Sequence, residues 1–215
     1  MMLIRQYGMI LTLLLWGGSA MAAEISAVIT DQNGEPLSDA VIYLHSVNGV
    51  VPEFDPGESA IDQIDKTFIP HVQVVTRNSA VSFPNSDDIR HHVYSFSDTK
   101  TFELPLYIGT PANPVVFDQA GVVDIGCNIH DFMRGYVLVL ETPHYARSSV
   151  GEARLGDLPA GQLEVHIWHP RLAQNEPRVE QVDLSGDGTQ ELTVSLELRG
   201  EVGSRRAPKR RGRRY

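Results

Sequence analysis

A single cysteine, Cys127, stands in the whole 215-residue chain, which excludes an intrachain disulfide framework. Long apolar runs are missing too. The one extended run, MILTLLLW near the N-terminus, is too short to span a bilayer, which argues against a membrane anchor. Helical periodicity is nearly absent: only GESAIDQIDK is amphipathic in that sense, and it predicts one short helix over Ser59 to Lys66. Hydrophobic residues nevertheless make up 42% of the chain, enough for one good core or two small ones and hence one or two domains.

Positive charge is scarce in the body of the chain. Eight of the 18 Lys and Arg residues, but one of the 27 acidic residues, fall in the last 17 positions, leaving ten basic against 26 acidic residues elsewhere. That tail, residues 199–215, has no apolar periodicity and is expected to be disordered. It can dock on acidic protein or an anionic membrane surface. At the other end, Arg5, the apolar run and Ala20-Met21-Ala22 read as a secretory signal peptide over 1–22, so the mature chain is expected in the periplasm or secreted. Nucleic acid is therefore not an expected partner. In an oxidising compartment an unpaired thiol needs a purpose of its own.

The remainder reads as strands and turns. Two β-branched runs, Ile25 to Thr30 and Ala40 to His45, flank DQNGEPLSD, whose Asn33-Gly34 predicts a hairpin. HVQVVTRNSAVSFP, HHVYSFS, KTFELPLYI, PVVFDQAGVVDIG and MRGYVLVLE continue the pattern, as do QLEVHIWHP, RVEQVDL and QELTVSLELR later on. Many short strands at this spacing predict Greek-key β-sandwiches.

The stretch GCNIHDFMRGYVLVLE gives the cysteine its purpose. In a loop, Cys127, His130 and Met133 can fold back so that a thiolate, an imidazole and a thioether converge on one point. Such a soft set suits copper cycling between Cu(I) and Cu(II), with a second histidine completing a trigonal plane; zinc seldom recruits methionine. The second histidine must come from a distant strand, and FPNSDDIRHHVYSFS offers His91 or His92. Strand alternation puts His92, Tyr94 and Phe96 on one face and His91, Val93 and Ser95 on the other, and by bulk the first face looks more like core.

With these motifs the chain resembles the cupredoxins, the blue-copper family of plastocyanin, azurin and amicyanin. The likeness covers roughly Val51 to Pro143. CNIHDFM is similar to the short, amicyanin-like ligand loop, and TFIPHVQVV, FELPLY and GVVDIGCNIHDFMRGYVLV resemble a secreted methylamine-utilisation-protein-like group. Aligning HHV with the family's H-N-V pattern makes His91 the strand ligand. The resemblance thus implies one type 1 copper ion on His91, Cys127, His130 and Met133. Two departures stand out: Ile125-Gly126 precede Cys127 where many members carry an aromatic, which implies a more open site. His92 replaces an asparagine that in the family hydrogen-bonds across to the cysteine loop.

The flanks carry a second likeness. VITDQNGEPLSDAVIYLH and GEARLGDLPAGQLEVHIWHP resemble a carboxypeptidase-regulatory or transthyretin-like sandwich, with Leu163 in place of the usual aromatic. The expected architecture is all-β: a Greek-key cupredoxin sandwich over 51–143, with residues 23–50 as an N-terminal hairpin and 144–198 forming a second small sandwich, unless that hairpin extends the cupredoxin sheet instead. No catalytic group is evident in the flanks. His166 and His169, three apart on a predicted strand, face opposite sides and cannot share a metal, while His45, His71 and His144 lack a partner at ligand spacing. DLSGDG imitates half a calcium loop, but Val194 stands where the bidentate glutamate belongs, so it reads as a turn.

The function expected from all this is single-electron transfer between protein redox partners, which the sequence does not identify. A copper carrier or sensor, or a metal-free interaction module on a degenerate cupredoxin fold, is the alternative. An enzyme using Cys127 and His130 as nucleophile and base leaves Met133 without a role, so no catalytic residue is assigned.

Overall fold

The computed structural model describes residues 23–174, 176–184 and 188–200. The expected export signal, the basic tail beyond Gly200 and the middle of the DLSGDG turn lie outside the described residues. Within them the chain is all-β, with the sheets arranged in sandwich-like layers. The strands run β1 (Ala23–Asp31), β2 (Val41–Val47), β3 (Glu58–Ala60), β4 (Asp62–Ile64), β5 (Thr67–Ile69) and β6 (Val72–Thr76). Then come β7 (Ser79–Ser82), β8 (His91–Ser97), β9 (Lys100–Tyr107), β10 (Val115–Phe117), β11 (Gly121–Cys127) and β12 (His130–Leu140). The last five are β13 (Tyr145–Arg147), β14 (Glu152–Leu158), β15 (Gly161–Trp168), β16 (Arg178–Leu184) and β17 (Thr189–Leu196).

The middle of the chain builds a five-stranded sheet, β6-β12-β11-β8-β9, a three-stranded sheet, β10-β7-β3, and the hairpin β4-β5. The two ends build β14-β1-β17 and β13-β2-β15-β16. β1 and β2 therefore pair with late strands and not with the middle sheets. They do not form the expected hairpin either. The Asn33-Gly34 turn is present, closed by a hydrogen bond from Gly34 N to Asp31 O at 3.0 Å and capped by the Asp31 carboxylate. The chain after the turn pairs only with the last residues of β1, through Asp31 N to Glu35 O at 2.9 Å and Leu37 N to Ile29 O at 3.0 Å; β14 holds the rest of that edge and β17 the other, so the chain then crosses into the other sheet.

The helix expected over Ser59 to Lys66 is likewise absent. That segment holds the end of β3, all of β4 and a two-residue turn in which Asp65 and Lys66 both have positive φ, 52° and 58°. The apolar spacing that suggested a helix comes from Ile61 entering the core while Gln63 is buried beside it. A left-handed pair is the conformation that tight hairpins demand, and aspartate tolerates it better than most residues.

β12 explains why its VLVL run is apolar without interruption. Val137 and Val139 join Phe68, Phe83, Val93, Phe117, Ile125 and Cys127 in one core. Leu138 and Leu140 point the other way, into a core shared with β1, β2, β14 and β15. A strand buried on both faces loses the usual alternation. β12 is thus a wall common to two cores.

Candidate metal centre

β11 and β12 form a hairpin whose register runs from Gly121↔Val139 to Gly126↔Arg134, then shifts so that Cys127 faces His130 across the two-residue turn Asn128-Ile129. The expected ligand loop is therefore a tight turn, with Cys127 ending one strand and His130 beginning the next. His130 and Met133 both belong to β12. Alternation along that strand points Met133 into the core that holds Cys127.

β8 brings the strand histidine. His91 is 0% exposed and turns its Nδ1 toward Cys127 Sγ at 3.7 Å; His130 Nδ1 approaches the same sulfur at 3.7 Å. The two imidazoles meet at 58°, with centroids 5.1 Å apart. Donors held by one ion at about 2.3 Å from sulfur and about 2.0 Å from nitrogen lie about 3.5–3.8 Å apart, so this spacing fits a shared metal. Cys127 is 2% exposed, and Met133 lines the same shallow depression beside it.

His91 and not His92 is the β8 histidine that faces Cys127, for a reason that runs against the bulk argument. The buried face of β8 is the one with small residues, Val93 and Ser95, whereas Phe96 is 80% exposed. Phe83, Phe102 and Phe117 already fill the space opposite, so the strand contributes small side chains there. His92 lies on the other face of β8, buried at 8% exposure, and its Nε2 bonds the Glu103 carboxylate on β9 at 2.8 Å. The role implied by the family's asparagine, a bond to the cysteine turn, is not made by His92.

Asp87, which drew no attention in the sequence, organises the back of the site. Its carboxylate accepts from His91 Nε2 at 2.7 Å, from Asp65 N at 2.7 Å and from Lys66 N at 2.9 Å. The acceptor fixes the His91 proton on Nε2 and leaves Nδ1 as the lone-pair nitrogen facing sulfur. Burial alone would raise the Asp87 pKa, but the bonds from Lys66, His91 and Asp65 hold it below the usual carboxylate range. Asn85 secures the same loop, accepting from Asp87 N at 3.1 Å and donating to Ile89 O and Tyr107 O. His130 is partly exposed; burial lowers its pKa, and His91 and Lys66 push in the same direction.

Gly126 and Tyr94 line that depression together. A Cβ on Gly126 would meet the Tyr94 ring at 3.1 Å, so an aromatic from β8 occupies the place that a bulky residue before Cys127 would take.

No known family model matches this sequence, and no curated protein matches it. Among solved structures, the chain is similar to a purple cupredoxin from Nitrosopumilus maritimus at 20% identity over 38% of this chain and 98% of the other, with a TM-score of 0.34. It is similar to a reduced Cu(I) form of an amicyanin mutant at 24% identity over 47% and 98%, with a TM-score of 0.36. A copper-containing nitrite reductase from Thermus scotoductus SA-01 is similar at 20% identity over 53% of this chain and 28% of its own, with a TM-score of 0.36. These neighbours are cupredoxins, at low structural similarity.

Proposed function

We propose that this chain is a type 1 copper protein that passes single electrons between protein partners outside the cytoplasm, with His91, Cys127, His130 and Met133 as the ligands. One observation carries the reading: two imidazole Nδ1 atoms approach a single buried thiol at 3.7 Å, with a buried methionine beside it. Copper bound there would supply one-electron chemistry at a soft donor set. The chain's own residues would keep that set still. His91 is clamped between Cys127 and Asp87, Cys127 is fixed by the β11–β12 ladder, and Met133 is packed in the core. Fixed donors favour similar coordination in both oxidation states, which suits electron transfer more than metal delivery. His130, the partly exposed imidazole, is the edge through which an electron would reach a partner, next to the exposed Ile129.

The test is optical. Copper-loaded protein is expected to show an intense visible charge-transfer band, and Cys127→Ser is expected to erase it while the far-UV circular dichroism stays unchanged. A colourless wild type after Cu(II) addition under oxidising conditions overturns the reading. A reversible one-electron wave, with copper retained against a chelator in both states, is the mark of a carrier of electrons; rapid Cu(I) loss without a wave assigns the chain to copper handling instead.

A further inference from the structure

Three groups that electron transfer does not use meet on the sheet built by the chain ends. His45 on β2 and Glu164 and His166 on β15 bring one donor atom each to within 4.8 Å of one another. Among the described residues, this and the His91, Cys127 and His130 group are the two places where three such donors gather. His166 Nε2 donates to Glu164 Oε1 at 2.8 Å, and His45 Nε2 lies 4.0 Å from the same oxygen. The other carboxylate oxygen of Glu164 accepts from Gln181 Nε2 at 3.3 Å, which holds the group in place.

The register of β2 on β15 makes the meeting, and a β-bulge adjusts it. Along β2 and β15 the partners run Tyr43↔His166 and Leu44↔Val165, then slip to Ser46↔Glu164, so His45 and Ser46 together face Glu164. Without the slip, His45 would lie directly opposite Glu164 and leave Ser46 against Leu163. With it, His45 leans along the strand, and its ring stacks on His166 with centroids 4.5 Å apart and 11° between planes. Bulges that re-aim a side chain are a recurring device next to functional sites.

We propose that His45, Glu164 and His166 form a second metal site, for a late first-row divalent ion of the Zn(II) kind. Two imidazoles and one carboxylate are a borderline-hard N/O set, and three protein ligands of this type leave a coordination position open. The donor set lacks thiolate and thioether, so it differs in kind from the Cys127 site and does not rest on that reading. The ion takes the place of the proton that His166 Nε2 now gives to Glu164. Parallel rings do not aim at one point, so His45 has to turn toward the carboxylate. Its side chain is 47% exposed and has room to do so, whereas His166, at 12%, stays where it is. Both histidines line a cleft of about 900 Å³ whose other walls include Asp124, Arg134, Tyr136 and Trp168. The open position therefore faces a space that a small ligand can enter.

The experiment uses the full mature chain carrying His91→Ala and Cys127→Ser, which silence the first cluster, with folding checked by circular dichroism. Zn(II) is titrated against a chromophoric chelator. One equivalent is expected to bind, and adding His45→Ala or His166→Ala is expected to weaken it by more than about 100-fold, since even groups behind a metal ligand are worth about 10- to 100-fold. Glu164→Gln, which keeps an oxygen but loses the charge, is expected to cost about 10-fold. Because His45 is exposed, His45→Ala should fold whatever becomes of the His166 variant. Zinc affinity indifferent to His45→Ala, or no bound equivalent at all, overturns the proposal. Failure of the Cys127 reading shows separately, in the visible spectrum of the wild type.

Discussion

Removing the Asp87 carboxylate isolates the group that joins His91 to the β4–β5 turn. Three donors end on it: the buried His91 Nε2 and the amides of Asp65 and Lys66. A hydrogen bond to a charged group contributes about 1.5–3 kcal/mol net. The two amides sit in a turn at the surface, where water can replace the carboxylate, so their share is small. His91 is 0% exposed and has no such substitute. Asp87→Ala should therefore cost roughly one buried charge-assisted bond and a fraction more, about 2–4 kcal/mol. For a chain of this size that lowers the melting temperature by about 4–16 °C. Asp87→Asn keeps a carbonyl oxygen for one donor and should fall about halfway. The measurement is thermal denaturation of the metal-free chain followed by circular dichroism, with copper affinity from chelator competition as a second readout. Affinity should drop about 10- to 100-fold, because His91 loses the acceptor that fixes its tautomer. An Asp87→Ala protein that melts within about 1 °C of the wild type and holds copper equally well would show that the carboxylate positions nothing.

His91→Ala should abolish the visible band, whereas His92→Ala should leave its position unchanged, because His92 Nε2 is bonded to Glu103 and turned away from Cys127; absorption spectra of the two variants decide this. Gly151→Ala should destabilise the chain by about 2–4 kcal/mol in a denaturant melt, since φ is +83° and the new Cβ would meet Pro36 Cβ at 2.8 Å and Ile29 O at 3.0 Å. Leu138→Ala, which empties part of the core on the side of β12 away from Cys127, should cost about 2–5 kcal/mol while the band of the folded protein keeps its wavelength.

Strand content was legible because β-branched runs bounded by Gly, Pro, Asn and Asp leave few alternatives, and the C-x2-H-x2-M spacing marks Cys127 and its neighbours directly. What escaped depends on contacts between distant segments. The Ser59 to Lys66 stretch had a helical apolar spacing, and nothing local announces that Asp65 and Lys66 adopt left-handed φ to be capped by Asp87, 21 and 22 residues away. The orientation of β8 was misjudged by bulk, because which face is crowded depends on the phenylalanines of other strands. His45 has no partner at short spacing in the sequence. Its partners sit about 120 residues later, and only the register of β2 on β15 makes them neighbours. The His92 substitution was visible, but its bond to Glu103 was not, since β9 reaches it through a second irregularity between His91 and Val93.

The chain ends contribute no donor to the Cys127 cluster, yet they bear on its rigidity through β12. The strand starts at His130, passes Met133 and continues into Val137 to Leu140, where alternate side chains enter two different cores. Fully burying a Val or Leu side chain is worth about 1.5–3 kcal/mol, so Leu138 and Leu140 add anchoring that a strand buried on one face would lack. β6 pairs with the same segment, Tyr136 to Leu140, and leaves the donor-bearing part to β11 alone. A shift of β12 by one residue would exchange its two faces, driving Leu138 and Leu140 among the phenylalanines and the valines toward the other core. The second core therefore resists slippage of the strand that carries His130 and Met133. Removing the end segments would expose Leu138 and Leu140 to water and leave the donor positions dependent on one core and a two-residue turn.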